Sequence, residues 1–304
     1  MEIESYEKSG KIVSKVRDDA SKLIKDGLAI IDLVEFVESE IIKAGAGIAF
    51  PCNVSVNEIT AHYTSPLNDE NIISGGDLVK LDLGAEIDGY IGDSAVTIIS
   101  EGDSDLNDDE IAKNENLIEA SDLALETAIS TIKEGMEIGH IGCEVEKVIT
   151  ELGFVPIRNL SGHSLQQWNL HSGLSIPSVA SNDSIKLKEG DVLAIEPFVT
   201  DGDGYVDDAN STNIFKFEKI RPFRQTYTKK VLNNIKTNYP HLPFSSRWLT
   251  KEFSPNRLNN TLRELSQSMA IYPYHALIEK TGARVAQKEH TIIVEKEGCQ
   301  ITTK

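Results

Sequence analysis

The chain has 304 residues, of which 40% are apolar and 26% charged, and its formal net charge is −18. This length suits one large domain or two smaller ones, and the apolar content is sufficient for a buried core. The acidic balance argues against a protein that binds DNA or RNA over its whole surface. No apolar stretch approaches the roughly 18 residues of a membrane helix, the first residues lack a secretory signal, and the three cysteines are widely spaced. These features predict a cytoplasmic protein with no membrane or DNA partner.

Hydrophobic periodicity predicts several helices, with strand-like segments between them. Glycines after two of the periodic segments, at positions 135 and 153, are expected to end helices there. The predicted helices span residues 6–25, 29–43, 108–132, 142–152, 228–237 and 257–269.

The segment 77–99 predicts a β-hairpin whose turn is Asp88–Gly89. In that register Asp82 lies opposite Ala95, and Asp93 points to the same side as Asp82, one diagonal step away. Two neighbouring carboxylates repel each other in a buried strand pair unless a cation lies between them. The apolar flanks of both strands favour a buried pair, and the alternative is two solvated acids on an exposed face.

A second segment repeats the layout of the first strand. Gly190–Glu196 has the same pattern as Gly76–Asp82, and each segment is followed by Asp-Gly-Tyr, at 88–90 and at 203–205. The acids that end the two segments therefore occupy the same place. The repeat indicates two related halves that each offer an acid to one site, and the alternative is a coincidence between two similar strands.

One histidine and one further acid complete the candidate ligands. His163 and His171 are bracketed by Gly162 and Gly173, and imidazole is a common ligand of divalent metals, although an isolated histidine is often an ordinary core or surface residue. Glu289 lies in a segment rich in β-branched residues, which predicts a strand. If these residues converge, they form a ligand set for two divalent cations in a hydrolase. The predicted metal ligands are Asp82, Asp93, His163, Glu196 and Glu289.

Short motifs spread over essentially the whole chain match one known family. They are Phe50–Asn57, His62, Leu81–Gly84, Gly162–His163, Leu170–His171, Ile195–Pro197 and Glu289–Thr291. Together they resemble methionine aminopeptidase type 2 in its short archaeal form. The resemblance implies the pita-bread fold, an α/β (α+β) architecture with pseudo-twofold halves. It also implies a monomer that removes the N-terminal methionine from nascent proteins and peptides, prefers a small second residue, and attacks with a water shared by two divalent metal ions (Co, Mn, Fe(II) or Zn).

The resemblance also implies roles for individual residues. Glu196 is expected to be the general acid/base as well as a ligand, and His171 is expected to donate to the carbonyl oxygen as charge develops there. His62 is expected to contact the scissile amide and to react with fumagillin-type epoxides. The pocket for the methionine side chain is expected to include Phe50, Leu170 and Tyr274.

A basic segment lies between the fourth and fifth ligands. From Lys216 to Arg263 there are eleven Lys and Arg against two Glu, a net of +9, which leaves −27 on the rest of the chain. The composition and the resemblance together predict a helical, winged-helix-like insertion over 213–273, within a catalytic domain formed by 1–212 and 274–304. Its basic surface is consistent with contact to the ribosome, where nascent chains emerge, or with a solvated face that complements the acidic domain.

Other functions remain open from the sequence. Xaa-Pro dipeptidase (prolidase) uses the same fold and ligands, although those enzymes generally carry a further N-terminal domain. A non-catalytic relative that binds the ribosome or RNA is the second alternative, although such relatives have lost ligands that this chain retains. A purely structural metal site is disfavoured, because structural zinc is held by closed Cys and His sets.

Overall fold

The computed structural model describes residues 2–304, and within them it contains seven helices and fifteen strands. The helices are α1 (Glu2–Ser21), α2 (Ile30–Lys43), α3 (Asp108–Thr131), α4 (Ile138–Glu151), α5 (Thr226–Asn238), α6 (Ser246–Leu249) and α7 (Pro255–Gln267). The strands are β1 (Gly47–Val56), β2 (Ile59–Ala61), β3 (Leu78–Ile87), β4 (Tyr90–Ile99), β5 (Val155–Pro156), β6 (Ser161–Ser164), β7 (Ser175–Pro177), β8 (Val192–Ile195), β9 (Phe198–Thr200), β10 (Val206–Phe217), β11 (Phe244–Ser245), β12 (Ile271–Glu279), β13 (Val285–Gln287), β14 (His290–Glu295) and β15 (Gly298–Ile301).

The strands form four antiparallel sheets, and one helix pair packs on the strands of each half. The sheets have the orders β1-β3-β4, β11-β10-β12-β2, β13-β9-β5 and β15-β14-β8-β6-β7. In the first half, α1 and α2 pack on β1 and β3 around buried residues such as Val37 and Leu81. In the second half, α3 and α4 pack around a separate cluster that includes Leu125 and Ile292. This arrangement confirms the expected α/β architecture built from two halves.

Each predicted helical segment corresponds to a helix, with shifted boundaries. The first helix ends at Ser21, four residues before the prediction, and α4 begins at Ile138, four residues before its predicted start. Gly139 lies inside α4, where glycine is usually unfavourable. A Cβ atom there would lie 2.4 Å from the carbonyl oxygen of Ser181. This glycine therefore serves close packing against a neighbouring loop, a contact that periodicity does not reveal.

β3 and β4 form the predicted hairpin in the predicted register. Asp82 pairs with Ala95 and Gly84 pairs with Asp93. The turn residues Asp88–Gly89 have φ values of 54° and 86°, as a tight hairpin turn of type I′ requires. Asp93 is only 3% exposed, so the alternative of two solvated acids on an open face is wrong.

The two similar segments both form strands, and the acid at the end of each segment lines the same cavity. The first begins at Leu78 and continues through Asp82, whereas the second begins at Val192 and ends immediately before Glu196. The second copy is interrupted because Pro197 has no N–H to continue a strand ladder. β9 then pairs with β5 and β13 rather than forming a hairpin with β10.

The basic segment has its own apolar cluster, which includes Leu232, Phe244 and Leu262. β10 and β12 cross the expected boundaries of 213–273 and pair with each other along most of their length. The division into a catalytic domain and an insertion therefore stays a prediction. Among residues 2–304, no helix is both long and apolar enough to span a membrane.

Candidate metal centre

All five predicted ligands line one cavity of about 60 Å³. Different strands or strand ends supply them, so the site exists only when both halves are folded. Asp82 lies in β3, Asp93 in β4, His163 in β6, Glu196 directly after β8, and Glu289 directly before β14.

The ligand atoms are close enough to share cations. Nε2 of His163 lies 3.5 Å from Oε1 of Glu196 and 3.7 Å from Oδ2 of Asp93. Potential ligand atoms of Asp93, His163 and Glu289 all lie within 4.8 Å of one another. Asp82 and Glu196 are outside this group of three and border the same cavity. The arrangement therefore offers one compact ligand group with two further carboxylates beside it.

Unpaired buried oxygens show that these residues fit a metal. Oδ1 of Asp82 and Oδ1 of Asp93 are both buried, and neither has a hydrogen-bond partner among the described residues. A buried carboxylate oxygen without a partner is costly. A divalent cation would satisfy both atoms, and a set rich in oxygen with one imidazole suits several such ions.

The charges in the cavity are unfavourable without a cation. Burial raises the pKa of Asp82 to about 7, against the opposing effect of a 3.1 Å hydrogen bond from Nδ2 of Asn53. Burial and then the charge of Asp82 raise the pKa of Asp93, and burial and then the charge of Asp93 raise the pKa of Glu289. Burial lowers the pKa of His163 to about 3, so its imidazole is neutral and able to ligate a metal.

Two more histidines border the cavity, and both lie near Tyr274. The ring centroids of His62 and His171 lie 5.6 Å and 6.1 Å from that of Tyr274, and His171 lies 4.4 Å from His163. His62 has a φ of 62°, a left-handed conformation that histidine adopts more readily than most side chains. The structure therefore brings both predicted catalytic histidines to the ligands.

The predicted methionine pocket lies in the same cavity. Phe50 and Leu170 are each 6% exposed and line it together with Tyr274. Ile214 and Pro243 also line the cavity, and sequence reasoning missed both. They belong to the region around the basic segment, and no local pattern connects them with the ligands.

Two amide side chains that sequence reasoning also missed contact the ligands. Nδ2 of Asn53 donates to Asp82, and Nε2 of Gln287 donates to Oε2 of Glu196 at 3.3 Å. A signal was available for Gln287, because residues two apart share a face in a strand such as the one expected around Glu289. The structure interrupts that strand at residues 288–289, between β13 and β14. Both amides orient the carboxylates that they contact.

Comparisons with known proteins agree with this geometry. Residues 4–242 match the profile of Metallopeptidase family M24. The methionine aminopeptidase of Methanothermobacter thermautotrophicus is 54% identical over 301 residues, which cover 99% of this chain and 98% of that relative.

Solved structures share the fold at lower identity. The methionine aminopeptidase of Thermotoga maritima has a TM-score of 0.71 at 24% identity, covering 100% of this chain and 96% of that one. The prolidase of Pyrococcus furiosus has a TM-score of 0.64 at 20% identity, covering 100% of this chain and 64% of that one. These neighbours confirm the pita-bread fold. The profile match and the full-length relative show that the chain belongs to the M24 metallopeptidases and, among them, to the methionine aminopeptidases.

Proposed function

We propose that this protein removes the N-terminal methionine from nascent proteins and peptides, with a preference for a small second residue. One observation carries the proposal: five ligand side chains, two histidines and an apolar wall border the same small cavity. Membership of a metallopeptidase family supports hydrolysis as the reaction class.

The cavity would hold two divalent cations. Asp93 and Glu289, whose side chains are within hydrogen-bonding reach of each other, would be shared by both ions. Asp82 would hold one ion, and His163 and Glu196 the other. This oxygen-rich set tolerates Co, Mn, Fe(II) or Zn, among which availability decides. When bound, such cations supply a hydroxide nucleophile near neutral pH and polarise the substrate carbonyl.

The chain's own side chains would move the protons. Glu196 would accept the proton of the attacking water and deliver it to the leaving amine, while the 3.3 Å hydrogen bond from Gln287 orients its carboxylate. His171 would donate to the carbonyl oxygen as negative charge develops there. His62 would contact the scissile amide on the side opposite to His171.

The pocket wall would select the substrate. The apolar side chains of Phe50 and Leu170 suit a flexible thioether, and Tyr274 completes this wall. The rings of His62 and His171 lie 5.6 Å and 6.1 Å from that of Tyr274, and tight walls beyond the methionine pocket would admit only a small second residue.

One experiment separates this function from its alternatives. The purified protein is incubated with Co²⁺ or Mn²⁺ and with Met-Gly-Met-Met, Met-Pro or Ala-Pro, and free amino acids are followed with and without a chelator. Methionine release from the tetrapeptide, abolished by the chelator, is the expected result. Cleavage confined to Met-Pro and Ala-Pro would assign a prolidase, and no release with either metal would favour a non-catalytic ribosome-binding protein.

The basic segment would contact the ribosome. Eight of its cationic side chains are exposed, which suits attraction to polyanionic RNA. They are Lys219, Arg224, Lys229, Lys230, Lys236, Lys251, Arg257 and Arg263. Co-sedimentation with ribosomes should weaken with salt and in a Lys229→Glu/Lys230→Glu variant, and binding unchanged by both would reject the contact. We also propose a cytoplasmic location, which the three free cysteines support. The protein would be a monomer, which size-exclusion chromatography would test.

A further inference from the structure

Side-chain hydroxyls join β4 to residues 287–291, the segment that carries a metal-ligand candidate from the other half. Oγ1 of Thr97 accepts from the amide of Gln287 and donates to its carbonyl, both at 2.7 Å. Oγ1 of Thr291 makes the same pair of bonds with Asp93, accepting from its amide at 2.8 Å and donating to its carbonyl at 2.9 Å. Each threonine thus satisfies both backbone groups of one residue on the opposite segment.

A third hydroxyl lies between these two threonines. Oγ of Ser94 donates to the carbonyl of Glu289 at 2.8 Å, and the amide of Glu289 donates to the carbonyl of Ala95 at 3.0 Å. Nη1 of Arg17 donates to Oγ of Ser94 at 2.8 Å, which orients that hydroxyl. The backbone of Glu289 is therefore held at both its amide and its carbonyl.

The hydroxyl bridges, Thr97, Ser94 and Thr291, are buried, with exposures of 4%, 0% and 0%. Water therefore does not replace them, and the loss of one hydroxyl leaves buried backbone groups unpaired. They connect β4, which carries Asp93, to the segment 287–291, which carries Glu289. The two carboxylates repel each other when ionised. The bridges hold the two backbones together against this repulsion.

We infer that Thr291, Ser94 and Thr97 are positioning residues for metal binding, because they set the separation of Asp93 and Glu289 before a cation arrives. This inference rests on the proposed assignment of those two carboxylates as shared ligands. Thr97 extends the effect to a third ligand, since the Gln287 that it holds donates to Glu196. Residues that contact the metal ligands without touching the metal commonly influence metal affinity.

The test is a calorimetric titration of chelator-stripped protein with Co²⁺. Thr291→Val removes both bonds to Asp93 with little change of shape and should weaken Co²⁺ binding about tenfold. Thr291→Ser keeps the hydroxyl and should restore binding close to that of the unaltered protein. Methionine release by Thr291→Val should recover as the Co²⁺ concentration is raised, because the proposed defect is weaker binding of the metal.

Two controls keep the possible outcomes distinct. Thr228 in α5 is equally buried and donates to Glu264 at 2.8 Å, so Thr228→Val should cost stability without changing Co²⁺ affinity. Equal Co²⁺ affinity of Thr291→Val and Thr228→Val would overturn the positioning role. Asp93→Asn should lose Co²⁺ binding, and unchanged binding there would instead refute the ligand assignment. If Thr291→Val does not fold, Thr97→Val replaces it in the same titration. Its Co²⁺ affinity is then compared with those of Thr228→Val and Asp93→Asn in the same way.

Discussion

Arg247 and Glu38 form a buried ion pair that joins the basic segment to the first half of the protein. Nη2 of Arg247 donates to both carboxylate oxygens of Glu38, each at 2.9 Å, and Nε1 of Trp248 donates to the same carboxylate at 2.9 Å. The two charged side chains are only 9% and 8% exposed. This contact attaches α6 to α2 through a charge pair that is largely shielded from solvent.

Removal of one partner of this pair should destabilise the protein strongly. Arg247→Met leaves the Glu38 carboxylate buried without its cation, which should lower the free energy of unfolding by about 3–5 kcal/mol. Replacing both residues by methionine should recover much of that loss. Chemical denaturation measures both effects. As a control, Lys43→Ala breaks the exposed pair with Glu40 and should cost less than about 1 kcal/mol; equal losses in the two single variants would contradict the prediction.

Glu196→Gln should abolish most turnover without unfolding the protein. The amide cannot accept the water proton, so kcat for methionine release should fall by about 10²- to 10⁴-fold at saturating metal. Circular dichroism and the melting temperature should stay close to those of the unaltered protein. Glu295→Gln, at an exposed position of β14, should leave kcat unchanged. A Glu196→Gln variant with normal kcat would remove Glu196 from the proposed role.

The stability of the metal-free protein should fall as pH rises from about 4 to 7. Burial raises the pKa of Asp82 to about 7 and raises those of Asp93, Glu196 and Glu289 well above their usual range. The corresponding carboxyls of the unfolded chain titrate near pH 4, so the folded state binds more protons across this window. The folded state therefore loses stability relative to the unfolded chain across this window, unless a cation neutralises the site.

Melting temperatures of chelated and metal-loaded protein at several pH values test this linkage. The difference between the two should widen from pH 5 to pH 8, because only the chelated protein retains the repulsion among carboxylates. A constant difference over that range would show that the carboxylates are ionised, and tolerated, without a metal.

His62 should be the residue captured by fumagillin-type epoxides. Burial lowers its pKa, so the imidazole is neutral and nucleophilic at pH 7. Mass spectrometry should find one adduct on the unaltered protein, none on His62→Ala, and one on His171→Ala. An adduct that persists on His62→Ala at another residue would place the reactive imidazole elsewhere.

Local sequence was sufficient for the hairpin that carries two of the acids. Asp88–Gly89 specifies a turn with two positive φ angles, and that turn sets the register of Asp82 and Asp93 through hydrogen bonds between near neighbours. For the histidines and the remaining acids, the residues alone left alternatives open, and the resemblance to a family added support for their assignment. Boundaries such as that of α4 were predicted less well, because its glycines are explained by a distant loop.

The sequence by itself determined which side chains are available for chemistry, how the first two carboxylates are aligned, and that one segment is strongly basic. These properties depend on residue type and on contacts within a few positions. Only the tertiary structure decided that Thr97 and Thr291 bond to partners 190 and 198 positions away, or that Arg247 meets Glu38. Such contacts form only when packing of the two cores offsets the entropic cost of closing long loops. No local pattern of residues therefore predicts them.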